Sequence, residues 1–232
     1  YHYHVDNHYF TNYMAQWSMN FALETIELLR SQDPDRLDAL LITHNYTNAE
    51  GKRWKQRSKQ VYLIPESADG VIEQHEGYFD LPDRVITRWD DNKRPLVTED
   101  ESEQARFLQN FQTRLIKQSD VLLLMSMFSN RFSLEEKRAN YHFYEPRTVH
   151  ESSLSAAAYG IIACELGLTD EAYLFMRQLA GFNLNFIPRT YYRNGLHLDA
   201  YSGAWQVLVQ GFLGVQFGMD GLTLVPQLPS HW

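Results

Sequence analysis

The chain has 232 residues, of which 44% are hydrophobic, and its 29 acidic and 21 basic side chains give a formal net charge of −8. This composition is typical of a folded protein with a substantial core and excludes a disordered chain. The acidic balance disfavours nucleic-acid binding, and no apolar run is long enough to cross a membrane. The single cysteine, Cys164, excludes an intrachain disulfide and favours a cytoplasmic location.

Apolar residues recur at three- and four-residue spacing through most of the chain, which is the period of an amphipathic α-helix. In the first 63 residues this pattern predicts three helices. The third begins after Thr47, which forms a capping-box pattern with Glu50, and it ends before Pro65. The predicted helices cover residues 9–30, 35–44 and 50–63.

Five further helices are predicted after a mostly irregular stretch at 64–100. Capping-box patterns at Thr98 and Ser133 open the first two of them, and Gly167 is the predicted turn of a helical hairpin. A strand is predicted at 222–226, after a turn-forming Asp-Gly pair. The five predicted helices cover residues 101–128, 133–143, 152–167, 169–182 and 199–212.

The connections between the predicted helices are of two kinds, short turns and long loops rich in aromatic and polar residues. Helical hairpins with long loops at one end are typical of an α/α toroid whose site lies at the loop-rich end. An irregular helical bundle is the alternative, and the pattern leaves both open. We predict an all-α fold with a short β segment at its end. The long loops cover residues 1–9, 64–100, 142–152 and 183–198.

Residues 1–8 contain three histidines and one aspartate, a set that could bind a metal. No H-E-x-x-H pattern or spaced carboxylate partner accompanies them, so the more favoured interpretation is a polar pocket lined by histidines and tyrosines. Asp6 and Asn7 are candidates to cap the helix that follows. No metal site is predicted.

Two other polar segments leave two interpretations open. Residues 72–79 place carboxylates, an amide and aromatic rings in a predicted loop, which is typical either of a binding loop or of a solvated acidic turn anchored by its aromatic residues. Lys117 and Gln118 lie at the start of the apolar half of a predicted helix. They either form an exposed helix face or reach into a polar cavity.

Residues 140–155 are the most informative segment. Pro146 disfavours the helical conformation for the residue before it, so we expect the carboxylate of Glu145 to leave the helix end. An alternative for the charged residues that follow is an ion pair on the surface between Arg147 and Glu151. The segment then continues into a run of serines.

The serines Ser152, Ser153 and Ser155 are predicted at a helix N-terminus. Free backbone N–H groups and hydroxyls at that position favour an anion. A second candidate for anion binding is His197, in a loop where Gly195 allows close backbone approach. The alternatives are ordinary serine capping and a loop histidine without a role.

Clustered carboxylates, amides and aromatic rings are typical of a sugar site, and paired carboxylates cleave glycosidic bonds. Six motifs match one enzyme family in order: Tyr-His-x-His-Val-Asp-Asn with Tyr/Phe-Thr-Asn-Tyr (1–13), Gly-Val-Ile-Glu-Gln-His-Glu-Gly-Tyr (70–78), Leu-Ile-Lys-Gln-Ser-Asp-Val-Leu-Leu-Leu (115–124), Ala-Asn-Tyr-x-Phe-Tyr-Glu-Pro-Arg-Thr-Val-His-Glu-Ser-Ser-Leu-Ser (139–155), Gly-Leu-His (195–197) and Gly-Ala-Trp-Gln (203–206). On these motifs the chain resembles glycoside hydrolase family 65, which holds inverting phosphorylases of maltose, trehalose, kojibiose and nigerose.

The resemblance implies an (α/α)6 barrel, of which residues 1–218 would form the second half. Residues 219–232 would begin a C-terminal β region. In the family the general acid is a glutamate in an Asp-Glu-Tyr-His string, which would place it just before Tyr1. We therefore expect the chain alone to be inactive.

The resemblance also implies roles for six residues. It implies inorganic phosphate as co-substrate, β-glucose 1-phosphate as product, no metal or organic cofactor, and a homodimer. The implied sugar-binding residues are Lys117, Gln118 and Glu145, and the implied phosphate-binding residues are Ser152, Ser153 and His197.

Two departures from the family pattern flank the implied phosphate site. Ala156 stands where many members have proline, and Leu198-Asp199-Ala200-Tyr201 replaces Ile-Ala-Ser-Met. The family also holds hydrolases, so the alternative function is an inverting α-glucoside hydrolase with Glu145 or Glu151 as the general base. A carbohydrate-binding protein without catalysis is a third hypothesis.

Overall fold

The computed structural model describes residues 2, 4–89, 91, 112–150, 152–184, 195–218 and 221–232. The chain divides into two compact units. The smaller unit comprises Val5–Pro65 and Gln74–Glu76, and the larger unit comprises Tyr1–His4, Glu66–Glu73 and Gly77–Trp232.

The smaller unit consists of three helices, α1 (Tyr9–Gln32), α2 (Pro34–Thr43) and α3 (Asn48–Gln60). Helix α1 packs against both of the others. All three predicted helices are confirmed. The predicted cap of α3 is also found, since the Thr47 side chain accepts a hydrogen bond from the Glu50 N–H at 3.2 Å.

The cap of α1 differs from the prediction. His8, not Asp6 or Asn7, caps this helix, and its Nδ1 accepts from the Thr11 N–H at 3.4 Å. Asn7 has a left-handed backbone with a φ of 50°. Its side-chain amide donates to the Glu76 carboxylate at 2.6 Å, and its Oδ1 accepts from the Asn12 side chain and not from a backbone N–H of the helix.

The described residues of the larger unit form five α-helices, a π-helix and two short strands. In the same described ranges, 3₁₀ turns cover Tyr78–Asp80, Ser129–Arg131 and Glu145–Arg147. The longer elements are α4 (Asp120–Met127), α5 (Leu134–Tyr144), α6 (Ser155–Glu165), α7 (Thr169–Ala180), α8 (Leu198–Gln206), the π-helix (Val207–Phe212), β1 (Val215–Gly218) and β2 (Gly221–Leu224).

Helix α6 is the centre of this unit and packs against α4, α5, α7, α8 and the π-helix. Every residue from Ser155 to Cys164 is buried. Small side chains allow the close approach, because an added Cβ on Gly160 would lie 2.7 Å from Cγ2 of Val207. Burial also raises the pKa of the Cys164 thiol to about 12.

Local helix signals are confirmed elsewhere in the unit. Ser133 and Glu136 form a reciprocal capping box at the start of α5, with hydrogen bonds of 3.2 Å and 2.6 Å. Gly167 has a φ of 76° in the turn between α6 and α7. These features depend on a few neighbouring residues, which is why the sequence predicts them well.

Of the long helix predicted at 101–128, residues 120–127 are confirmed as α4, whereas residues 113–119 are not helical. The chain before it bonds to a distant segment instead. Ile116 donates its N–H to the Arg147 carbonyl at 2.8 Å and accepts from the Val149 N–H at 2.9 Å. The capping-box pattern at Thr98 lies outside the described residues.

The two strands form an antiparallel hairpin, in which Val215 is opposite Leu224. The strand predicted at 222–226 is confirmed as β2, whereas β1 was not predicted. The boundary at residue 219 stays a prediction. In the part of the chain that the structure describes, no helix has both the length and the apolar character required to cross a bilayer.

Candidate functional site

Lys117 and Gln118 lie in the loop before α4, not on a helix as predicted. The pairing of Ile116 with Thr148 brings this loop beside the turn that follows α5. Both polar side chains are half-buried. The structure therefore places the implied sugar-binding residues on two adjoining segments that are far apart in sequence.

Glu145 stays in the helical conformation, with φ −55° and ψ −53°, so the prediction that Pro146 displaces it is wrong. Other donors compensate for the altered helix end. Arg147 Nη1 donates to the Phe143 carbonyl at 2.7 Å, and Thr148 Oγ1 donates to the Tyr144 carbonyl at 2.8 Å. Glu145 consequently remains at the end of α5 and is only 9% exposed.

The surroundings of Glu145 are aromatic. Burial raises the pKa of Tyr159, and the charge of Glu145 adds to this effect. Burial also raises the pKa of Tyr141, with the charges of Glu171 and Glu145 as further causes. Glu145 thus acts electrostatically on two tyrosines whose rings are fully buried.

Arg147 pairs with Asp83, and the predicted pairing with Glu151 is not observed because Glu151 lies outside the described residues. The guanidinium makes two hydrogen bonds to the Asp83 carboxylate, at 2.8 Å and 2.7 Å. Its Cζ also lies 4.2 Å from the centre of the Phe143 ring. These contacts fix the turn that carries Glu145.

The backbone of His150 itself has an unusual conformation. Its φ is 48°, which is uncommon for a residue other than glycine and is found at constrained sites. The side chain is 4% exposed, Nδ1 lies 3.0 Å from the Ser155 hydroxyl, and the ring packs against Tyr159 at 4.8 Å. No role is predicted for His150 from the sequence, because a positive φ at a residue other than glycine has no signal in the sequence.

Ser152 and Ser153 lie in the turn before α6, because the helix begins at Ser155 and not at residue 152 as predicted. The Ser152 hydroxyl accepts from the Leu154 N–H at 3.2 Å. The Ser153 hydroxyl donates to the Asp199 carboxylate in the first turn of α8. This hydrogen bond joins the serine turn to the helix that follows His197.

His197 immediately precedes α8 and is held by Asn183. The Asn183 Oδ1 accepts from the His197 N–H at 2.8 Å, and its Nδ2 lies 3.3 Å from His197 Nδ1. An amide nitrogen can only donate, so Nδ1 is the acceptor. The neutral imidazole therefore carries its proton on Nε2. The ring also packs against Phe182 at 4.9 Å.

The loop at 72–79 is divided between the two units, and its carboxylates serve the fold. In the larger unit Glu73 accepts from the Phe79 N–H at 2.9 Å, and the Tyr144 hydroxyl donates to the Ile72 carbonyl at 2.5 Å. In the smaller unit Glu76 accepts from Asn7, as described above. Among the described residues no group of three or more histidine, cysteine, aspartate or glutamate side chains is arranged to hold a metal ion.

Comparison with known proteins gives a consistent result along the whole chain. Residues 1–206 match the family model described as the glycosyl hydrolase family 65 central catalytic domain. The chain is 36% identical over 235 residues to a kojibiose phosphorylase of Thermoanaerobacter brockii, an alignment that covers 100% of this chain and 29% of the relative. It is 32% identical over 229 residues to a maltose phosphorylase of Bacillus subtilis strain 168, covering 98% of this chain and 28% of the relative.

The fold is similar to a solved chain assigned to kojibiose phosphorylase, from the human microbiome. The TM-score is 0.77 at 30% sequence identity, over 98% of this chain and 29% of that one. This similarity confirms the predicted all-α class and is consistent with a partial toroid. The chain spans less than a third of the length of these relatives.

Proposed function

We propose that this chain, which belongs to glycosyl hydrolase family 65, is part of an inverting phosphorylase that cleaves an α-linked glucose disaccharide. One geometric observation supports this function above others. The serine turn at Ser152 and Ser153 and the loop at His197 precede two helices that pack together, and the Ser153–Asp199 hydrogen bond joins them. The named relatives that align with the whole chain are disaccharide phosphorylases.

The phosphate would bind at this junction. Ser152 Oγ accepts from the Leu154 N–H, and the serine proton has no acceptor among the described residues, so it is available to a ligand oxygen. The tautomer of His197 fixed by Asn183 places a second donor on Nε2. Two neighbouring helix N-termini add a favourable potential for an anion.

The glucosyl group would bind on the side of Lys117, Gln118 and Glu145. A lysine, an amide and a carboxylate together offer donors and acceptors for sugar hydroxyls. The buried position of Glu145 strengthens such hydrogen bonds, because water competes poorly there.

In the reaction, a phosphate oxygen attacks the anomeric carbon while the bond to the leaving oxygen breaks. We expect the general acid, a glutamate just before Tyr1, to protonate that oxygen. Glucose leaves, and the configuration inverts to give β-glucose 1-phosphate. The attacking phosphate takes the place of the base and water of an inverting hydrolase, so the proposal requires neither a metal nor an organic cofactor. A cytoplasmic location and a homodimer also belong to this proposal.

The test uses the complete protein that carries this chain. It is incubated with kojibiose, maltose, trehalose and nigerose, each with and without inorganic phosphate, and both glucose and glucose 1-phosphate are measured. We expect release of equal amounts of the two products, with phosphate required and one disaccharide preferred. Release of two glucose molecules without phosphate would contradict the proposal and indicate a hydrolase.

A further inference from the structure

We propose that Asp199 makes the phosphate site selective for an anion that carries a proton, so that phosphate binds well and sulfate binds poorly. The inference rests on the proposed phosphorolysis and goes beyond it by assigning anion selectivity to a named residue. It starts from the carboxylate that contacts one of the implied phosphate-binding serines.

The first observation is that the Ser153 proton is already engaged. Ser153 is 9% exposed, and its hydroxyl donates to Oδ2 of Asp199. A hydroxyl has only one proton, so Ser153 offers a phosphate ligand an acceptor while this bond is present. Of the implied phosphate-binding residues, only Ser152 and His197 then have a proton to donate.

The second observation is that Asp199 retains acceptor capacity. Within the described ranges, the Ser153 hydroxyl is the only hydrogen-bond partner of its half-buried carboxylate. An ionised carboxylate has about four acceptor positions and no donor. The favoured ligand is therefore one that carries a proton to donate to this carboxylate.

Phosphate meets this requirement and sulfate does not. Near neutral pH, phosphate carries at least one P–OH group, which can donate to the Asp199 carboxylate. Sulfate has the same size and tetrahedral shape but no proton, so it would place a negative oxygen against a negative carboxylate. A site built to form a hydrogen bond discriminates strongly against a ligand that lacks the matching group.

The experiment measures the phosphorolysis rate of the complete protein against phosphate concentration, with sodium sulfate as competitor and ionic strength held constant with chloride. For the wild type, we expect the sulfate inhibition constant to exceed the phosphate KM by at least about tenfold. In Asp199→Asn, the side-chain oxygen can still accept from Ser153, while the charge is removed and an amide donor is added. The ratio of the two constants should fall by at least about tenfold.

Asp170→Asn is the matched control, because Asp170 is the second residue of α7 as Asp199 is the second residue of α8. Both variants remove one carboxylate from a first helical turn, but Asp170 lies 3.7 Å from His231 and not beside the implied phosphate-binding serines, so its variant should leave the ratio unchanged. An unchanged ratio in Asp199→Asn with phosphorolysis intact would overturn the inference. A protein with no phosphate requirement would instead overturn the proposed function.

If Asp199→Asn fails to fold, the wild type alone still tests whether the site prefers phosphate to sulfate. Titration calorimetry of the complete wild-type protein with phosphate and with sulfate compares the two anions directly. Sulfate binding as tight as phosphate binding would overturn the inference. Asp199→Glu provides a folded comparison that keeps the charge and should retain the preference for phosphate.

Discussion

The hydroxyl of Thr148 lies 2.5 Å from the hydroxyl of Tyr159, between the turn after α5 and the middle of α6. Thr148 donates its own proton to the Tyr144 carbonyl oxygen, so Tyr159 is the donor in the shared hydrogen bond. Burial raises the pKa of Tyr159, which keeps the phenol protonated. This bond ties the segment of Glu145 to the helix that begins at the serine turn.

Tyr159→Phe should therefore lower stability. The change leaves a buried acceptor on Thr148 without its donor, which costs about 1–2 kcal/mol. Thermal unfolding of the complete protein, followed by near-ultraviolet circular dichroism, provides the measurement. Tyr201→Phe is the control, because the Tyr201 hydroxyl has no hydrogen-bond partner among the described residues. Equal melting temperatures for the two variants would contradict the role given to the Tyr159 hydroxyl.

Asp83→Asn should weaken the turn that carries Glu145 in a pH-dependent way. Hydrogen bonds from Arg147 hold the pKa of Asp83 below its ordinary value. A lowered folded-state pKa stabilises the fold above the ordinary pKa of aspartate, and this contribution is lost as pH falls through the lowered pKa. Because Asp83 is 44% exposed, the cost at neutral pH is only about 0.5–1 kcal/mol.

The measurement is the difference in unfolding free energy between wild type and Asp83→Asn from pH 7 down to pH 3. It should shrink in the acidic part of this range. Asp69→Asn serves as control, since Asp69 is exposed and has no side-chain partner among the described residues. A difference that grows as pH falls would have the wrong sign for this pair.

Gly160→Ala should destabilise the centre of the larger unit. The new methyl would lie 2.7 Å from Cγ2 and 3.1 Å from Cγ1 of the buried Val207, and such overpacking costs about 1–3 kcal/mol. The double variant Gly160→Ala with Val207→Ala removes the clash. It should be more stable than the sum of the two single effects predicts, as measured in a double-mutant cycle by urea unfolding. Strict additivity would show that the two residues do not interact.

Ser152→Ala and His197→Ala should each raise the phosphate KM in the complete protein. Loss of one donor to the anion corresponds to about a tenfold increase. The disaccharide KM should change much less, because these residues are proposed to bind phosphate. Ser202→Ala provides a control, because Ser202 is exposed on α8 and its hydroxyl bonds, among the described residues, only to the Leu198 carbonyl. Equal increases for both substrates would instead indicate a general disturbance of the fold.

The sequence predicts the helices well wherever the decisive interactions are local. The period of apolar residues locates α1, the Ser133–Glu136 box locates α5, and Gly167 locates the turn after α6. Each of these signals spans a few residues. They therefore do not depend on how the rest of the chain folds.

The failures arise where distant segments meet. The residues before Asp120 look helical by period, but their backbone groups bond to a segment about 30 positions later. The expectation for Glu145 came from the local effect of Pro146, whereas donors on Arg147 and Thr148 restore the helix end. A prediction from neighbours cannot include such compensation.

In the candidate site, too, the sequence predicts local features but not the contacts between distant segments. The motif residues could be identified from the amino-acid sequence, because a resemblance to a family requires only the order of the residues. The hydrogen bond between Ser153 and Asp199 spans 46 positions, and the left-handed backbone of His150 depends on packing against Tyr159 and Ser155. Both features become visible only when α6 and α8 are placed in space.

The central position of α6 has a consequence for biosynthesis. Its neighbours lie on both sides of it in the sequence, from α4 to the π-helix that ends at Phe212. During translation, the part of the α6 surface that packs against the π-helix stays uncovered until Phe212 has left the ribosome. Chains that stop earlier expose this surface and are prone to aggregate. The larger unit therefore completes its fold late, after nearly all of its residues have been synthesised.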